Sequence, residues 1–440
     1  MIFQLHKHDR AIFALAFPAL GALAADPIVS LVDTAFVGRL GAVPLAALGV
    51  NISVFSLAFV VFNFLAYGTT PMIGRAIGRG DREGAGRVVM QAFTLALIVG
   101  AVALILLQIF ATSILALMGA DEALREPALV YLRIRALAGP ALLLITAGNG
   151  AFRGYQDTRT PFVITLWLNL INLVLDPLFI FGFGWGLAGA AWATTIAQWV
   201  GALWFVWLLL VKRREALEIP LVLPNLTELR PFLRIGWELA VRTFALIGTL
   251  TLATAVATRV GVLEVAAHQV AAQLWLFLAL VVDALAIAAQ ALVAKYLGEN
   301  DAASAREVSN RLLVWGLGVG VFLGVGFALL APYLPRLFTG DEEVIALVLA
   351  VFPFVVFMQP LNALVFVWDG IFMGAEDFAY LARAMVISAA AAVLVLLLVV
   401  PLGSGLAGVW WGIVALMGVR VVTLAVRYFG AGGMFKEALE

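Results

Sequence analysis

The sequence has no cysteine and little charge. Of its 440 residues, three are histidines, 12% are Asp, Glu, Lys or Arg, and 64% are hydrophobic. Without cysteine the chain forms no disulfide and no cysteine-ligated metal site, and histidines at positions 6, 8 and 268 are too few for a histidine-rich one. A protein so poor in charge cannot cover itself with a water-soluble surface. The composition therefore predicts a chain that is solvated by lipid.

Apolar runs of about 20 residues, the length that crosses the hydrocarbon core of a bilayer, recur along the chain. The alternating pattern of a membrane barrel is absent, and a helix satisfies its own backbone hydrogen bonds inside lipid. The sequence therefore predicts an all-α polytopic membrane protein that keeps its first span. The twelve predicted spans lie near residues 11–36, 44–68, 86–110, 126–150, 160–182, 187–211, 231–257, 263–289, 306–330, 345–369, 379–401 and 406–428.

Several nucleotide-binding and catalytic motifs are also missing. The chain has no GxxxxGK[ST] phosphate-binding loop, and it contains neither HExxH nor GxSxG. Transport driven by ATP and hydrolysis within the membrane are therefore not expected. We expect no enzyme activity, no cofactor, and neither ATP nor nucleic acid as a partner. The expected partners are the lipid bilayer and small molecules.

Basic residues are concentrated in alternate loops. Lys and Arg residues follow the second, sixth and eighth spans, whereas the loops between these hold few. Examples of the first group are Arg79, Arg82, Lys212, Arg213, Arg214 and Lys295, and the second group is chiefly Arg39, Arg125, Arg259 and Arg336. Loops rich in Lys and Arg face the cytoplasm in multispan proteins. Both termini are therefore expected on the cytoplasmic side of the cytoplasmic (inner) membrane.

The two halves of the chain resemble each other at an offset of 220 residues. VGRLGAVPLAALGV from Val37 aligns with ATRVGVLEVAAHQV from Ala257, and GAFRGYQD from Gly150 aligns with GIFMGAED from Gly370. Chance similarity between apolar helices would not preserve Gly, Pro, Asp and Arg at one spacing, so we infer a duplication. Each repeat holds six spans and therefore enters the membrane in the same direction as the other. We expect a pseudo-twofold axis along the membrane normal.

This repeat predicts two six-helix lobes with substrate bound between them. The N-terminal lobe is expected at residues 1–211 and the C-terminal lobe at residues 231–440. The segment between them, 212–230, is rich in charge and contains proline, which is typical of a linker. Its basic residues place it on the cytoplasmic side.

Polar side chains inside the first half's apolar spans are candidates for function, because a charge at the bilayer centre costs about 2.5–3.5 kcal/mol on insertion scales. Residues seven apart lie on one face of a helix, as do residues four apart. The first and fifth spans each carry polar residues on one helix face. The fourth and sixth spans each add a single polar residue. The set is Asp26, Asp33, Asn149, Asn172, Asp176 and Thr194. A polar cluster within the first lobe is therefore expected.

Three motifs resemble the multidrug and toxic compound extrusion family, in particular its DinF-like branch. They are SLVDTAFVGRLG from Ser30, GAFRGYQDTRTP from Gly150 and NLVLDPLFIFGFGWGLAGAAWAT from Asn172. The resemblance extends over nearly the whole chain. It implies two six-helix lobes, alternating access, and export of amphipathic organic compounds in exchange for protons or sodium ions. The alternative is a flippase of lipid-linked oligosaccharides or peptidoglycan precursors, because such flippases belong to the same superfamily.

The resemblance also implies roles for individual residues. DinF-like members carry their ion-coupling set at the positions of Asp33, Asn149, Asn172, Asp176 and Thr194. Two carboxylates in one desolvated pocket cannot readily both ionise, so Asp33 and Asp176 are expected to exchange ions as a unit. The oxygens of Asp33, Asn172 and Asp176 suit Na⁺ as well as H⁺, and no other metal site is predicted.

Each of these residues has an alternative structural role. Asp33 and Asp176 lie near helix ends, where a carboxylate can cap a helix or reach water. Asp26, which we count among the ion-coupling candidates, precedes Pro27 and can instead satisfy amides freed by a kink. Pro18 and Pro27 are candidate hinges of the first helix. The second half lacks these acids, since Ala253 takes the place of Asp33.

Overall fold

The computed structural model describes residues 6–120, 122–430 and 434–435 of the chain. None of these residues belongs to a β-strand. Within the same residues, eleven helices are long and apolar enough to cross a membrane, and a bent pair brings the number of spans to twelve. The predicted all-α polytopic fold is therefore confirmed.

The spans are numbered in chain order, with the bent pair counted as one. They are α1 (Asp9–Gly38), α2 (Ala42–Gly78), α3 (Arg82–Leu117), α4a (Glu122–Ala136) with α4b (Gly139–Gly154), α5 (Arg159–Gly182), α6 (Gly186–Lys212), α7 (Arg230–Val260), α8 (Val262–Gly298), α9 (Ala302–Leu330), α10 (Glu342–Gly374), α11 (Phe378–Val399) and α12 (Gly405–Phe429).

Large apolar side chains cover much of the molecule's outer surface. Leu203, Ile109 and Phe322, for example, are 58%, 66% and 75% exposed. Such a surface would associate or aggregate in water, whereas lipid tails solvate it. The exposed residues thus agree with the span lengths in making this an integral membrane protein.

The fourth span, predicted near residues 126–150, consists of two helices that meet at a bend. α4a ends at Ala136, α4b begins at Gly139, and the two meet at an angle of 47°. Pro140 occupies the first turn of α4b. Because proline has no N–H, it cannot donate the hydrogen bond that would continue α4a. The predicted fourth span is therefore present, and the structure adds a break within it.

Helix packing reproduces the sequence repeat. A Cβ atom added to Gly154 would lie 2.7 Å from Cβ of Ile73, and one added to Gly374 would lie 3.1 Å from Cβ of Val293. Both pairs are equivalent at the offset of 220. Gln156 and Glu376, two residues after these glycines, each adopt a left-handed φ of 61°. The same helix contact and the same turn are therefore built twice.

The described residues form two compact units. The N-unit is Phe17–Gly236, and the C-unit combines the residues from Trp237 onward with those up to Ala16. The helix α1 is thus shared, because its first turns belong to the C-unit and its remainder to the N-unit. This sharing was not expected from the sequence.

The turn between α4b and α5 is fixed by Asp157. Its carboxylate accepts hydrogen bonds from the backbone N–H of Thr160 at 2.9 Å and from Arg213 Nη1 at 3.0 Å. Burial disfavours the charged carboxylate, but the hydrogen bonds from Thr160 and Arg213 outweigh it and hold the pKa of Asp157 below its usual value. The ionised Asp157 therefore stabilises the start of α5.

Candidate functional site

A polar cavity of about 310 Å³ lies within the N-unit. Six helical segments contribute side chains to it, namely α1, α2, α4a, α4b, α5 and α6. The polar and charged residues that line it are Asp26, Ser30, Asp33 and Thr34 of α1, Tyr131 and Arg135 of α4a, Asn149 of α4b, Thr165, Asn169 and Asn172 of α5, and Thr194 and Gln198 of α6. The fold thus brings five of the six residues that the sequence singled out to one cavity, and Asp176 is not among its lining residues.

Two amide side chains organise the walls of this cavity. Asn169 Nδ2 donates to Asp26 Oδ1 at 3.0 Å, and Asn172 Nδ2 donates to Thr194 Oγ1 at 3.2 Å. Thr194 uses its own hydroxyl proton on the Ala190 carbonyl at 3.0 Å, so it acts as an acceptor toward Asn172. The amide oxygen of Asn172 is buried and meets no donor among the described residues. It is therefore available to a cation or to a protonated carboxyl group.

Asp33 and Asp176 form the acidic centre of the site. Asp176 is fully buried, and its carboxyl group lies beside that of Asp33, close enough for the two groups to interact electrostatically. No donor within the described part of the chain reaches either carboxyl oxygen of Asp176 or Asp33 Oδ1. Ionised carboxylates only accept hydrogen bonds and repel each other, so a proton or a cation between the two groups would stabilise the pair. The arrangement can therefore take up and release one positive charge.

The backbone next to Asp176 is also unusual. After Pro177 the helix α5 continues as a π-helical turn over Leu178–Gly182. π-Helical turns within α-helices are rare and occur frequently at functional sites, because the extra residue shifts the helix faces on either side of it. The turn lies immediately beyond the acidic centre.

Arg135 is the residue of the site that the sequence reasoning missed. It is buried, it donates from Nη1 to Gln198 Oε1 at 3.0 Å, and its guanidinium lies 5.1 Å from the centre of the Phe55 ring. Its positive charge acts on both Asp33 and Asp176. A charged residue inside the predicted fourth span was the available signal. Arg135 lies in the last turn of α4a, and this helix end places its guanidinium in the site.

The remaining candidate residues are Asn149, Pro18 and Pro27. Asn149 lines the cavity. Pro18 and Pro27 lie inside α1, which continues without interruption through both of them. Their role as hinges stays a prediction.

The C-unit has no equivalent acidic centre at Asp369, which aligns with Asn149. Asp369 Oδ2 accepts from Arg242 Nη2 and from Arg420 Nη2, each at 2.5 Å. Arg420 and Asp369 are both buried. Two guanidinium groups thus neutralise the carboxylate of Asp369. Asp369 therefore already has cationic partners, whereas the carboxyl oxygens of Asp176 in the N-unit meet no hydrogen-bond donor over the residues that the structure describes.

Comparison with known proteins places the chain in a family. The MatE family profile matches residues 18–178 and matches again at residues 239–399. The chain belongs to the MatE family. The two matches correspond to the two halves of the sequence repeat, and the resemblance predicted from the motifs is confirmed. Members of the MatE family are transporters rather than enzymes, and this chain is a multidrug and toxin efflux transporter of that family.

Similar proteins include plant and bacterial members. Protein DETOXIFICATION 44, chloroplastic, of Arabidopsis thaliana is 38% identical over 446 residues, covering 98% of this chain and 84% of the relative. DNA damage-inducible protein F of Escherichia coli (strain K12) is 27% identical over 434 residues, covering 96% and 92%. A crystal structure of MATE in the bent conformation has the same fold, with a TM-score of 0.91 at 23% identity over 99% and 98% of the two chains. The alternative of a flippase is not favoured by these relationships.

Proposed function

We propose that this MatE protein is a secondary active antiporter that exports amphipathic organic compounds in exchange for protons or sodium ions by alternating access. The observation that carries the proposal is the proximity of Asp33 to Asp176. Two buried acceptor groups without a donor need a bound cation, and a cation that binds and leaves can be coupled to a second solute.

The charge balance of the cavity supports ion exchange. Asp26 and Asp33 line the cavity and Asp176 lies beside Asp33, whereas Arg135 is the one cation among the described lining residues. Uncompensated charge is expensive at this depth, so the state without a bound ion is costly. Release of the ion would favour a rearrangement of the site. Asn172 and Asn149 would orient the carboxyl groups, and Thr194 would hold Asn172 in place.

A second cavity supports the substrate class. It has a volume of about 580 Å³ and shares Asp26, Tyr131 and Arg135 with the polar cavity. Phe55 and Phe59 also line it, and their rings stack with centroids 5.6 Å apart. Aromatic faces beside charged groups suit molecules that have both an apolar and a polar part. Substrate bound there would lie next to the ion-binding groups.

The orientation in the membrane follows from the basic loops. We propose that both termini lie in the cytoplasm, with the protein in the cytoplasmic (inner) membrane. A cysteine introduced at Ser304, at the start of α9, should then react with an impermeant reagent only from the inside. Reaction from outside intact cells would contradict this orientation.

Transport by the purified protein tests the function. Proteoliposomes loaded with a fluorescent amphipathic drug should export it when a pH gradient or a Na⁺ gradient is imposed, and the gradient that drives export identifies the ion. Glu83→Gln, an exposed acid of the same unit, is the control and should retain activity. Movement of lipid-linked sugars without any drug export would support the flippase and reject the antiporter.

A further inference from the structure

The C-unit contains a second cluster of potential ligands, remote in sequence from the acidic pair. His6 and His8 precede α1, and Glu307 lies near the start of α9. His6 Nε2 is 3.1 Å from Glu307 Oε1, and His8 Nε2 is 3.3 Å from Glu307 Oε2. One ligand atom from each residue can be chosen so that all three atoms lie within 4.8 Å of one another. Counting histidines in the sequence missed this cluster, because its third member is about 300 residues away.

The segment that carries the histidines is firmly held. Asp9 accepts from Arg311 Nε at 2.7 Å and from Trp315 Nε1 at 2.8 Å. The backbone N–H of His6 donates to Asp9 Oδ2 at 2.8 Å. His6 and Asp9 are thereby fixed against α9. Binding a metal ion here would therefore lose little conformational entropy of the chain.

The histidine rings are oriented for binding through Nε2. Tyr296 Oη lies 3.3 Å from His8 Nδ1. When Nδ1–H donates to this oxygen, the Nε2 lone pair points toward Glu307, which is the tautomer that binds metal ions. In the structure the backbone N–H of His8 donates to His6 Nδ1. Metal binding through His6 Nε2 moves the ring proton to Nδ1 and breaks this hydrogen bond. The bond is 3.4 Å long and therefore weak, so breaking it costs little.

We propose that His6, His8 and Glu307 bind a divalent transition-metal ion of the zinc type. Two imidazoles and one carboxylate are a typical three-ligand set for Zn²⁺, with water as the fourth ligand. Zn²⁺ bonds of about 2.0–2.1 Å arranged as a tetrahedron separate neighbouring ligand atoms by about 3.4 Å. The separations of 3.1 and 3.3 Å, each to a different oxygen of Glu307, are close to that value, and the three-atom set within 4.8 Å would contract around the ion. His6 and Glu307 are 32% and 40% exposed, so an ion can reach them from solvent.

Replacing Lys7 tests whether metal affinity rises or falls when its ion pair with Glu307 is removed. Lys7 Nζ lies 2.6 Å from Glu307 Oε2, where the ammonium group competes with a metal ion for the same carboxylate. A lysine side chain is charged at neutral pH, so Lys7 competes as a cation. Replacing Lys7 by a neutral residue should therefore strengthen metal binding. If the cluster were only a set of ion pairs, the same change would produce no metal affinity.

Titration calorimetry of the full chain in detergent, with any affinity tag removed, tests the site. Wild-type protein at pH 7.5 should bind one equivalent of ZnCl₂ and should not bind MgCl₂ at these residues. His6→Ala, His8→Ala and Glu307→Gln should each weaken Zn²⁺ binding by at least about tenfold. Lys7→Gln should tighten it by severalfold. The control His268→Gln, a buried histidine elsewhere in the C-unit, should bind as the wild type does.

Thermal unfolding provides a second measurement that does not depend on transport. Zn²⁺ should raise the unfolding temperature of the wild type but not that of the His6→Ala, His8→Ala double variant. Both proteins should unfold at similar temperatures without metal if the variant folds. Equal Zn²⁺ binding by the wild type and the double variant would overturn the proposal, as would weaker binding by Lys7→Gln.

Discussion

The proposed exchange of one positive charge at Asp33 and Asp176 has a measurable thermodynamic consequence. One proton transferred down a gradient of one pH unit supplies about 1.36 kcal/mol, which supports a tenfold concentration ratio of a neutral substrate. A tenfold Na⁺ gradient supplies the same free energy. In the proposed mechanism the two neighbouring carboxyl groups bind one cation between them. The pair should therefore contribute one tenfold step in substrate ratio for each tenfold ion gradient.

The double variant Asp33→Asn, Asp176→Asn removes both acids while keeping the side chains' size. We expect the slope of log substrate ratio against log ion ratio to fall by one unit relative to the wild type. Proteoliposomes with the membrane potential set to zero by valinomycin and equal K⁺ would give this slope at steady state. Glu83→Gln should leave the slope unchanged. An unchanged slope in the double variant, with normal expression and folding, would refute the reasoning.

Three further changes test other parts of the structure. Arg135→Gln should lower the ion concentration for half-maximal transport by about tenfold, because a competing positive charge beside the acids is lost. Gly154→Val should lower the unfolding temperature by about 3–6 °C, since its side chain would collide with α2 at Ile73. Asp157→Asn should destabilise the protein at neutral pH, and the difference from wild type should shrink as the pH falls below about 4 and vanish below the lowered pKa of the folded state. The lowered pKa of Asp157 stabilises the fold only while the carboxylate is ionised.

Each change has a matched comparison. Arg135→Lys keeps the positive charge and should retain the wild-type ion dependence, and an equal shift in both variants would contradict the electrostatic explanation. Gly248→Val is the packing control, because no atom lies within 4 Å of a Cβ added there. Equal destabilisation by the two valines would reject the close helix contact. A pH-independent effect of Asp157→Asn would show that its charge does not matter.

Local features of the sequence determined much of the fold. The length and hydropathy of the apolar runs predicted the spans, since a lipid-solvated backbone must form its hydrogen bonds within each helix. The repeat was equally visible, because turns depend on a few neighbouring residues. Asp81 and Asp301, for example, both begin a helix by accepting a hydrogen bond from the backbone three residues on. The candidate residues Asp33 and Asp176 were likewise found from polarity within apolar spans.

Contacts between distant segments were decided by the tertiary structure alone. Arg135 joins the acidic site because α4a ends before Pro140, and helix breaks of this kind change direction in ways that hydropathy does not record. The first turns of α1 belong to the C-unit through Asp9 and Arg311, and the same contact brings His8 to Glu307. Hydropathy and periodicity report the environment of each residue along the chain. They do not report which distant charge will neutralise it, because that depends on how the helices pack.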